Sequence, residues 1–179
     1  MLVICSIAGG FVAAAEPVPV PEHQMKALYL FNFTKYVEWP GEVFPGTNAC
    51  YTIGIFGAED TYNDLQALTS DKTVNGRKLI VKRIAQADDA KKCHIVYLGR
   101  GSEKLETAVL ETVRQIPVLT VGEHEDFLSR GGMVRFAREE NKLRVEIDLE
   151  ASQKAHLTVS ARLVPIAKVI RGRRTSSND

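Results

Sequence analysis

The residue types in this sequence that most often do chemistry do not combine into a known active site. The four histidines (His23, His94, His124 and His156) do not stand at metal-ligand spacing with one another, and His94 next to Cys93 is only an isolated pair. His124 lies in an acidic segment just past a predicted strand, which is typical of a polar loop. The sequence has no G-x-S-x-G elbow and no P-loop, and only a fragment of a dinucleotide fingerprint. We therefore predict no catalytic residues, no metal and no cofactor.

Several glycines mark one place where a small molecule could bind. Each follows the end of a predicted strand: Gly57, Gly99, Gly101 and Gly122. The carboxyl ends of strands in an open α/β sheet gather on one edge, and ligands usually bind there. Arg100 and a helix start at Ser102 could hold an anion at this edge. Tight turns alone would also explain the glycines, so both readings stay open.

Length and composition bound the class of protein. The chain has 179 residues, 45% hydrophobic and 25% charged, with a net charge of +1. These values fit one well-buried domain and exclude a disordered or low-complexity chain. The absence of a basic excess argues against binding to a nucleic-acid backbone.

The predicted elements alternate up to Val121. Helices are predicted over 22–38, 61–68 and 102–113, and strands over 51–56, 78–84, 94–98 and 117–121. This alternation favours a parallel sheet with helices on both faces. We predict a three-layer α/β fold in a single domain over 16–170, followed by a frayed tail over 171–179.

The C-terminal part has a different pattern, that of an antiparallel hairpin. After the polar turn at 139–141, one face of the next strand is apolar, with Leu143, Val145, Ile147 and Leu149, and the other is polar, with Lys142, Arg144, Glu146 and Asp148. The hairpin would make the whole sheet mixed. A short helix near 150–156 and an apolar segment over 163–170 follow.

The N-terminal segment is typical of a secretory signal peptide. Residues 1–15 carry no charge, are too short to span a bilayer and end in an A-x-A pattern. No Lys or Arg precedes the apolar run, and a late assignment of the start codon would explain that. The alternative is a buried N-terminal strand or helix. We predict cleavage after Ala15 and export to the periplasm.

The first predicted helix carries the most distinctive sequence, KALYLFNFTKYVEWP. Lys26 and Lys35 would lie on opposite sides of it, so we expect no single polar face. A helix of this kind is either buried in the core or covered by another subunit. The residues concerned, which would form a dimer interface in the second case, are Lys26, Tyr29, Phe31, Asn32, Phe33 and Trp39.

This segment closely resembles the opening signature of the YfiR family of periplasmic proteins. The resemblance continues through YTIGIFG, TVNGRKLIVKRI, CHIVYLG, IPVLTVGEHEDFLSRGGMVRF and NKLRVEIDLEASQKAHLTVSARL, in order. It implies a mixed sheet flanked by helices, commonly in a dimer. It also implies a negative regulator that binds the periplasmic sensor region of an inner-membrane diguanylate cyclase and keeps cyclic-di-GMP and biofilm output low. The alternative hypothesis is a periplasmic sensor that binds a small-molecule effector.

Two cysteines, Cys50 and Cys93, would remain after removal of the leader. Each starts a predicted strand, and the resemblance implies a strand-to-strand disulfide at these positions. Two free buried thiols and a redox switch are the alternatives.

The docking surface for the partner is predicted at the C-terminal end of the chain. We expect Arg144 and Glu146 to be exposed near Met133 and Arg135. In helical form, the segment over 163–170 would present one apolar stripe, and Pro165 would start or kink that helix. The predicted partner-binding residues are Arg144, Glu146, Leu163, Ile166 and Ile170. The stripe could equally serve only to cover the sheet.

Overall fold

The computed structural model of the chain describes residues 19–46, 48–101, 103–163, 165 and 167–170. The predicted leader, the predicted frayed tail, Ser102 and Ile166 lie outside these described residues. Within the same ranges, no helix has the length and apolar character needed to cross a bilayer.

Four helices and ten strands make up the described part of the fold. The helices are α1 (Glu22–Tyr36), α2 (Glu59–Thr69), α3 (Glu103–Thr112) and α4 (Leu149–Lys154). The strands are β1 (Val37–Glu38), β2 (Tyr51–Phe56), β3 (Thr73–Val74), β4 (Arg77–Arg83), β5 (Ile95–Leu98), β6 (Leu119–Gly122), β7 (Val134–Glu139), β8 (Lys142–Asp148), β9 (Thr158–Val159) and β10 (Lys168–Ile170).

Eight of the strands form one mixed sheet, in the order β10-β8-β7-β6-β5-β2-β4-β3. The five strands β4, β2, β5, β6 and β7 are parallel, whereas β8 is antiparallel to β7 and β3 is antiparallel to β4. β1 and β9 form a separate antiparallel ribbon. The predicted parallel core with a C-terminal antiparallel hairpin is confirmed.

Two apolar cores, one on each face of the sheet, give the predicted layers. Leu30 and Phe33 of α1 lie in the first core, and Val109 of α3 lies in the second. Alternate residues of β5 divide between them, since Ile95 and Tyr97 face the first core and the residues next to them face the second. A parallel strand buried on both faces needs this continuous apolar sequence.

The order of the strands reverses between β2 and β5. From β2 the chain passes through α2 to β4 on one side, and then crosses to β5 on the other side of β2. The turns after these two strands touch, because a Cβ on Gly99 would lie 2.7 Å from the carbonyl oxygen of Gly57. Only glycine fits such a close backbone approach. The predicted convergence of the glycine turns at one edge is therefore observed for this pair.

The hairpin is formed as predicted, but one of its outer residues is not exposed. Val145 and Ile147 are buried in the first core, and Arg135 pairs with Glu146 in the register. Glu146 is only 6% exposed, which makes the prediction of an exposed side chain wrong. The reason is that β10 extends the sheet beyond β8 and places Lys168 opposite Glu146.

The segment over 163–170 is also not the predicted helix with one apolar stripe. Leu163 is buried in the first core, Pro165 is exposed, and β10 then pairs in parallel with β8. The apolar residues over 163–170 form a nearly continuous run, which suits a strand as well as a helix, and the open edge of β8 offers hydrogen-bond partners.

Helix α1 is part of the core and has one narrow exposed stripe. Gln24, Leu28 and Lys35 are exposed along it and Asn32 is half-buried, whereas Leu30 is fully buried. The helix therefore has an exposed stripe but no single polar face, as expected. The stripe includes one large apolar side chain, since Leu28 is 49% exposed.

Candidate functional site

The switch point between β2 and β5 opens into a cleft of about 320 Å³. The turn after β2 and the N-terminus of α2 form one wall, and side chains from α1, β5 and the segment after β6 form the other. The lining residues are Glu22, His23, Lys26, Gly57, Ala58, Glu59, Asp60, Thr61, Tyr97, Arg100 and Glu123. This is the position at which open α/β sheets usually bind ligands.

A buried carboxylate, Glu123, organises the floor of the cleft. Its side chain is 5% exposed, and one of its oxygens lies 2.9 Å from Lys26 Nζ and 3.0 Å from Arg100 Nε. The Tyr97 hydroxyl donates a hydrogen bond to the other oxygen. Buried charges need partners of this kind because desolvation of an isolated charge is costly.

The network continues from Lys26 to the surface. Lys26 Nζ lies 2.8 Å from Glu22 Oε1, and Arg138 Nη2 from β7 lies 3.0 Å from Glu22 Oε2. The hydrogen bond from Lys26 lowers the pKa of Glu22, as do the charges of Lys26 and Arg138. Lys26 thereby joins α1 to the end of β6, and Glu22 joins α1 to the hairpin.

Tyr97 acts in this network as a hydrogen-bond donor. Burial raises the pKa of its phenol far above the ordinary range, and the negative charge of Glu123 raises it further. The hydroxyl therefore keeps its proton at every physiological pH. Such a group can orient a carboxylate or a ligand, but it cannot act as a general base.

Of the two residues predicted to bind an anion, Arg100 lines the cleft. Its side chain is 67% exposed and its guanidinium group is directed at Glu123. Lys26, Tyr97 and Glu123 were not predicted as parts of a cleft. The detectable signals were a lysine inside an apolar helix and a glutamate directly after the apolar strand that ends at Gly122.

A second concave surface lies at the predicted docking region. It is a groove of about 270 Å³ between the hairpin and the segment that leads into β10. Its lining residues are Glu139, Arg144, Val145, Pro165, Ala167 and Lys168. Of the predicted partner-binding residues, Arg144 is exposed in this groove and Ile170 is half-buried in β10. Leu163 is buried in the core.

The aromatic residues of the signature segment pack inside the protein. Tyr29 and Phe33 of α1 contact the Phe136 ring of β7, with ring centroids 6.0 and 6.2 Å apart. Lys35 Nζ lies 4.2 Å above the ring of Phe31. The indole nitrogen of Trp39 donates a hydrogen bond to the carbonyl oxygen of His94. These contacts give the segment a role in the core, and a dimer interface stays a prediction.

His94 is held as a neutral imidazole beneath an aromatic cluster. Its Nδ1 accepts a hydrogen bond from the backbone N–H of Thr52 at 3.0 Å, and the Phe44 ring stacks on it at 4.6 Å. Burial lowers the pKa of His94, and the charge of Arg77 lowers it further, against a hydrogen bond to the backbone of Val43. The residue therefore has a structural role in this aromatic cluster, beside Cys93.

Glu106 of α3 is a second buried carboxylate. Its Oε1 lies 2.8 Å from Arg130 Nη1, and its Oε2 has no hydrogen-bond partner within the described part of the chain. Burial raises the pKa of Glu106, against the lowering effect of Arg130. The ion pair joins α3 to the loop between β6 and β7.

Cys50 and Cys93 lie at the N-terminal ends of the neighbouring strands β2 and β5, as predicted. Both are free thiols in this structure, so the predicted disulfide is not formed here. Each thiol contacts a carbonyl oxygen near it in sequence, that of Asn48 for Cys50 and that of Asp89 for Cys93. Burial raises the pKa of Cys93 to about 11. The pairing stays a prediction.

No group of three or more His, Cys, Asp or Glu side chains in the described ranges is placed to hold a metal ion. The Lys26–Glu123 network and the groove at Arg144 are two surfaces that could bind another molecule. The first can orient a small polar ligand, and the second can receive a protein segment.

Comparison with known proteins identifies the family. The family model described as YfiR/HmsC-like matches residues 23–168. The match extends from the start of α1 to the start of β10, so the chain belongs to the YfiR/HmsC-like family. No match was found among curated proteins.

A solved structure has a similar fold. It is the crystal structure of a conserved domain protein from Vibrio cholerae O1 biovar El Tor strain N16961, with a TM-score of 0.50 and 13% sequence identity. The match covers 83% of this chain and 60% of that one, so this chain spans about three fifths of its length. At this identity the likeness concerns the fold alone.

Proposed function

We propose that this member of the YfiR/HmsC-like family is a periplasmic negative regulator that acts by binding another protein. Its partner in this proposal is the periplasmic sensor region of an inner-membrane diguanylate cyclase, and its effect is to lower cyclic-di-GMP and biofilm output. The carrying observation is the family match over residues 23–168, which supports a periplasmic regulatory role. The role we infer is binding and not catalysis.

A deletion strain tests this function. Removal of the gene should raise cyclic-di-GMP and biofilm matrix in a host that has the cognate cyclase. Complementation with the full chain should restore the low level. Unchanged cyclic-di-GMP after deletion would refute the proposed pathway.

We place the docking site at the groove between the hairpin and β10. The groove combines an exposed cation at Arg144 with two apolar residues of the segment that leads into β10, Pro165 and Ala167. Arg144 makes only a loose contact with Glu139, at 3.6 Å, and both side chains are more than half exposed. A guanidinium group of this kind is available to a partner, and arginine is enriched among the residues that dominate binding energy.

The variant Arg144→Glu should weaken binding of the cyclase sensor region at least about tenfold, because it places a negative charge in the groove. Arg114→Glu is the matched control, since Arg114 is exposed and lies outside the groove. Binding should be measured with purified proteins, and both variants should keep the wild-type melting temperature. Equal binding by wild type and Arg144→Glu would move the docking site elsewhere without refuting the function.

A second candidate function is a sensor for a small molecule. The observation that favours it is the cleft at the switch point, with Arg100 at its mouth. Thermal shift measurements with nucleotides and with aromatic amino acids would test it, with Arg100→Ala as the comparison. A shift in melting temperature that is lost in the variant would support the sensor function. If no compound shifts the melting temperature, the interpretation of the glycine turns as purely structural is favoured.

A further inference from the structure

Strand β4 has an open outer edge. It pairs with β2 from Leu79 to Arg83 on its inner side, whereas on its outer side β3 pairs only with Arg77 and Lys78. Beyond those two positions, no other strand of the described chain covers it. Most of the length of β4 is thus available for another strand.

The direction of the free backbone groups follows from two independent observations. The N–H of Ile84 donates to the carbonyl oxygen of Ile55 in β2. Because backbone direction alternates along a strand, every second residue of β4 before Ile84 also points its N–H and C=O groups to β2. The hairpin turn at Asn75 and Gly76, both at positive φ, joins β3 to β4 and pairs Arg77 with β3. The backbone N–H and C=O groups of Arg77 therefore point to the outer side of β4. Leu79, Val81 and Arg83 therefore present their N–H and C=O groups to the outside.

The side chains on this edge combine one apolar residue with two cations. Lys78, Ile80 and Lys82 are all exposed, and Ile80 is 40% exposed. Neither lysine makes an ion pair within the described ranges. The two arginines at the ends of the strand differ, because Arg77 bonds to the carbonyl groups of Gly46 and Ala49, and Arg83 pairs with Glu59.

The charges argue against two occupants from this chain itself. A second copy paired antiparallel about Ile80 would place Lys78 opposite Lys82, and like charges directly opposite each other destabilise a strand pair. The C-terminal tail carries Arg171, Arg173 and Arg174, so it would meet the same repulsion. An acidic strand from another protein would meet no such charge repulsion.

We propose that the outer edge of β4 binds an extended acidic segment of a partner protein as an added strand. In antiparallel register, an apolar residue of the segment would face Ile80. Carboxylates two residues to either side of it would face Lys78 and Lys82. Backbone hydrogen bonds to Leu79, Val81 and Arg83 would give affinity, and the two charge pairs would give specificity. The proposal does not require that the partner be a diguanylate cyclase.

A synthetic peptide tests the charge pattern. The probe has seven residues, with a central valine, glutamates two residues to either side of it and threonines elsewhere. On titration into the purified protein, backbone amide NMR signals of Leu79, Val81 and Arg83 should shift together. A peptide with lysines in place of the glutamates should bind at least about tenfold more weakly. Absence of binding by the acidic peptide, or shifts confined to β10, would overturn the proposal.

N-methylation of the peptide separates strand addition from simple charge attraction. The two threonines next to the valine would lie opposite Leu79 and Val81, and their N–H groups would face β4. N-methylation of these threonines should abolish binding, whereas N-methylation of the valine should leave it intact. Equal binding by both methylated peptides would refute strand addition.

Variants of the protein complete the test. Lys78→Glu/Lys82→Glu should weaken the acidic peptide at least about tenfold and should bind the lysine peptide better than wild type does. Lys104→Glu/Lys142→Glu is the matched control, because it reverses two exposed lysines away from β4. Circular dichroism and melting temperature should be unchanged in both. Equal weakening in both double variants would reduce the effect to net charge and overturn the proposal.

Discussion

The Glu123 network allows a quantitative prediction of how much a buried, paired charge contributes to the free energy of unfolding. Glu123→Gln keeps the size of the side chain but removes the negative charge that faces Lys26, Arg100 and Tyr97. Lys26 would retain Glu22 as its partner. Breaking a buried ion pair from one side typically costs about 3–5 kcal/mol. Because Lys26 keeps one carboxylate, we expect a loss of about 3 kcal/mol in the free energy of unfolding.

Urea denaturation at constant pH and salt would measure the loss. A change of that size should lower the melting temperature by roughly 6–12 °C in a domain of this length. Glu59→Gln is the matched control, since Glu59 also pairs with an arginine, Arg83, but both side chains are more than half exposed. Exposed pairs contribute little because water screens them, so the control should lose far less stability than Glu123→Gln.

The double variant Lys26→Met/Glu123→Gln tests whether the two groups act as a unit. Residues in one ion-pair network usually deviate from additivity by about 0.5–3 kcal/mol. We expect the double variant to lose less than the sum of the single losses. Equal losses for Glu123→Gln and Glu59→Gln, or strict additivity in the cycle, would refute the reasoning from burial.

Four further predictions concern protonation, thiols and export. Burial raises the pKa of Glu106, so the neutral carboxyl stabilises the folded state at low pH. This contribution is lost as pH rises above 4.5. In melting curves, Glu106→Gln should therefore become more stable relative to wild type as pH rises. Burial lowers the pKa of His94, so stability should fall as pH decreases below 6.5, and NMR titration should give this imidazole a pKa below 6.5. In reduced protein at pH 8, alkylation should label Cys50 well before Cys93, whose pKa is about 11. Protein purified from the periplasm should instead contain the predicted disulfide and no thiol that can be alkylated. N-terminal sequencing of that material should begin after Ala15, and an intact Met1 would contradict export with cleavage.

Local patterns in the sequence were enough to predict the layers and the hairpin. The alternation at Val145 and Ile147 identifies the core face, and the apolar runs of β2, β5 and β6 identify strands buried on both faces. Both signals lie within a single segment. They can be recognised without knowing which other segments pack against it.

Features that depend on what covers a segment could not be predicted in the same way. The alternation places Glu146 opposite the core face but does not show that β10 lies outside β8. The pairing of Lys26 with Glu123 joins residues far apart in the chain, and neither residue type indicates its partner. Apolar residues occupy most positions over 163–170, and such a run fits either a helix or a strand, so the neighbouring strand decides between them.

The β1–β9 ribbon has a consequence for the time at which the protein can fold. Val37, directly after α1, pairs with Val159, and Phe33 stacks on Phe136, so part of the packing of α1 and β1 depends on the last third of the chain. Synthesis delivers α1 first, with its aromatic residues uncovered. Contacts between distant parts of a chain slow folding, and exposed apolar surface promotes aggregation in the interval. The β1–β9 ribbon cannot form until residue 159 is available, and a truncation before β9 would leave β1 without its partner strand.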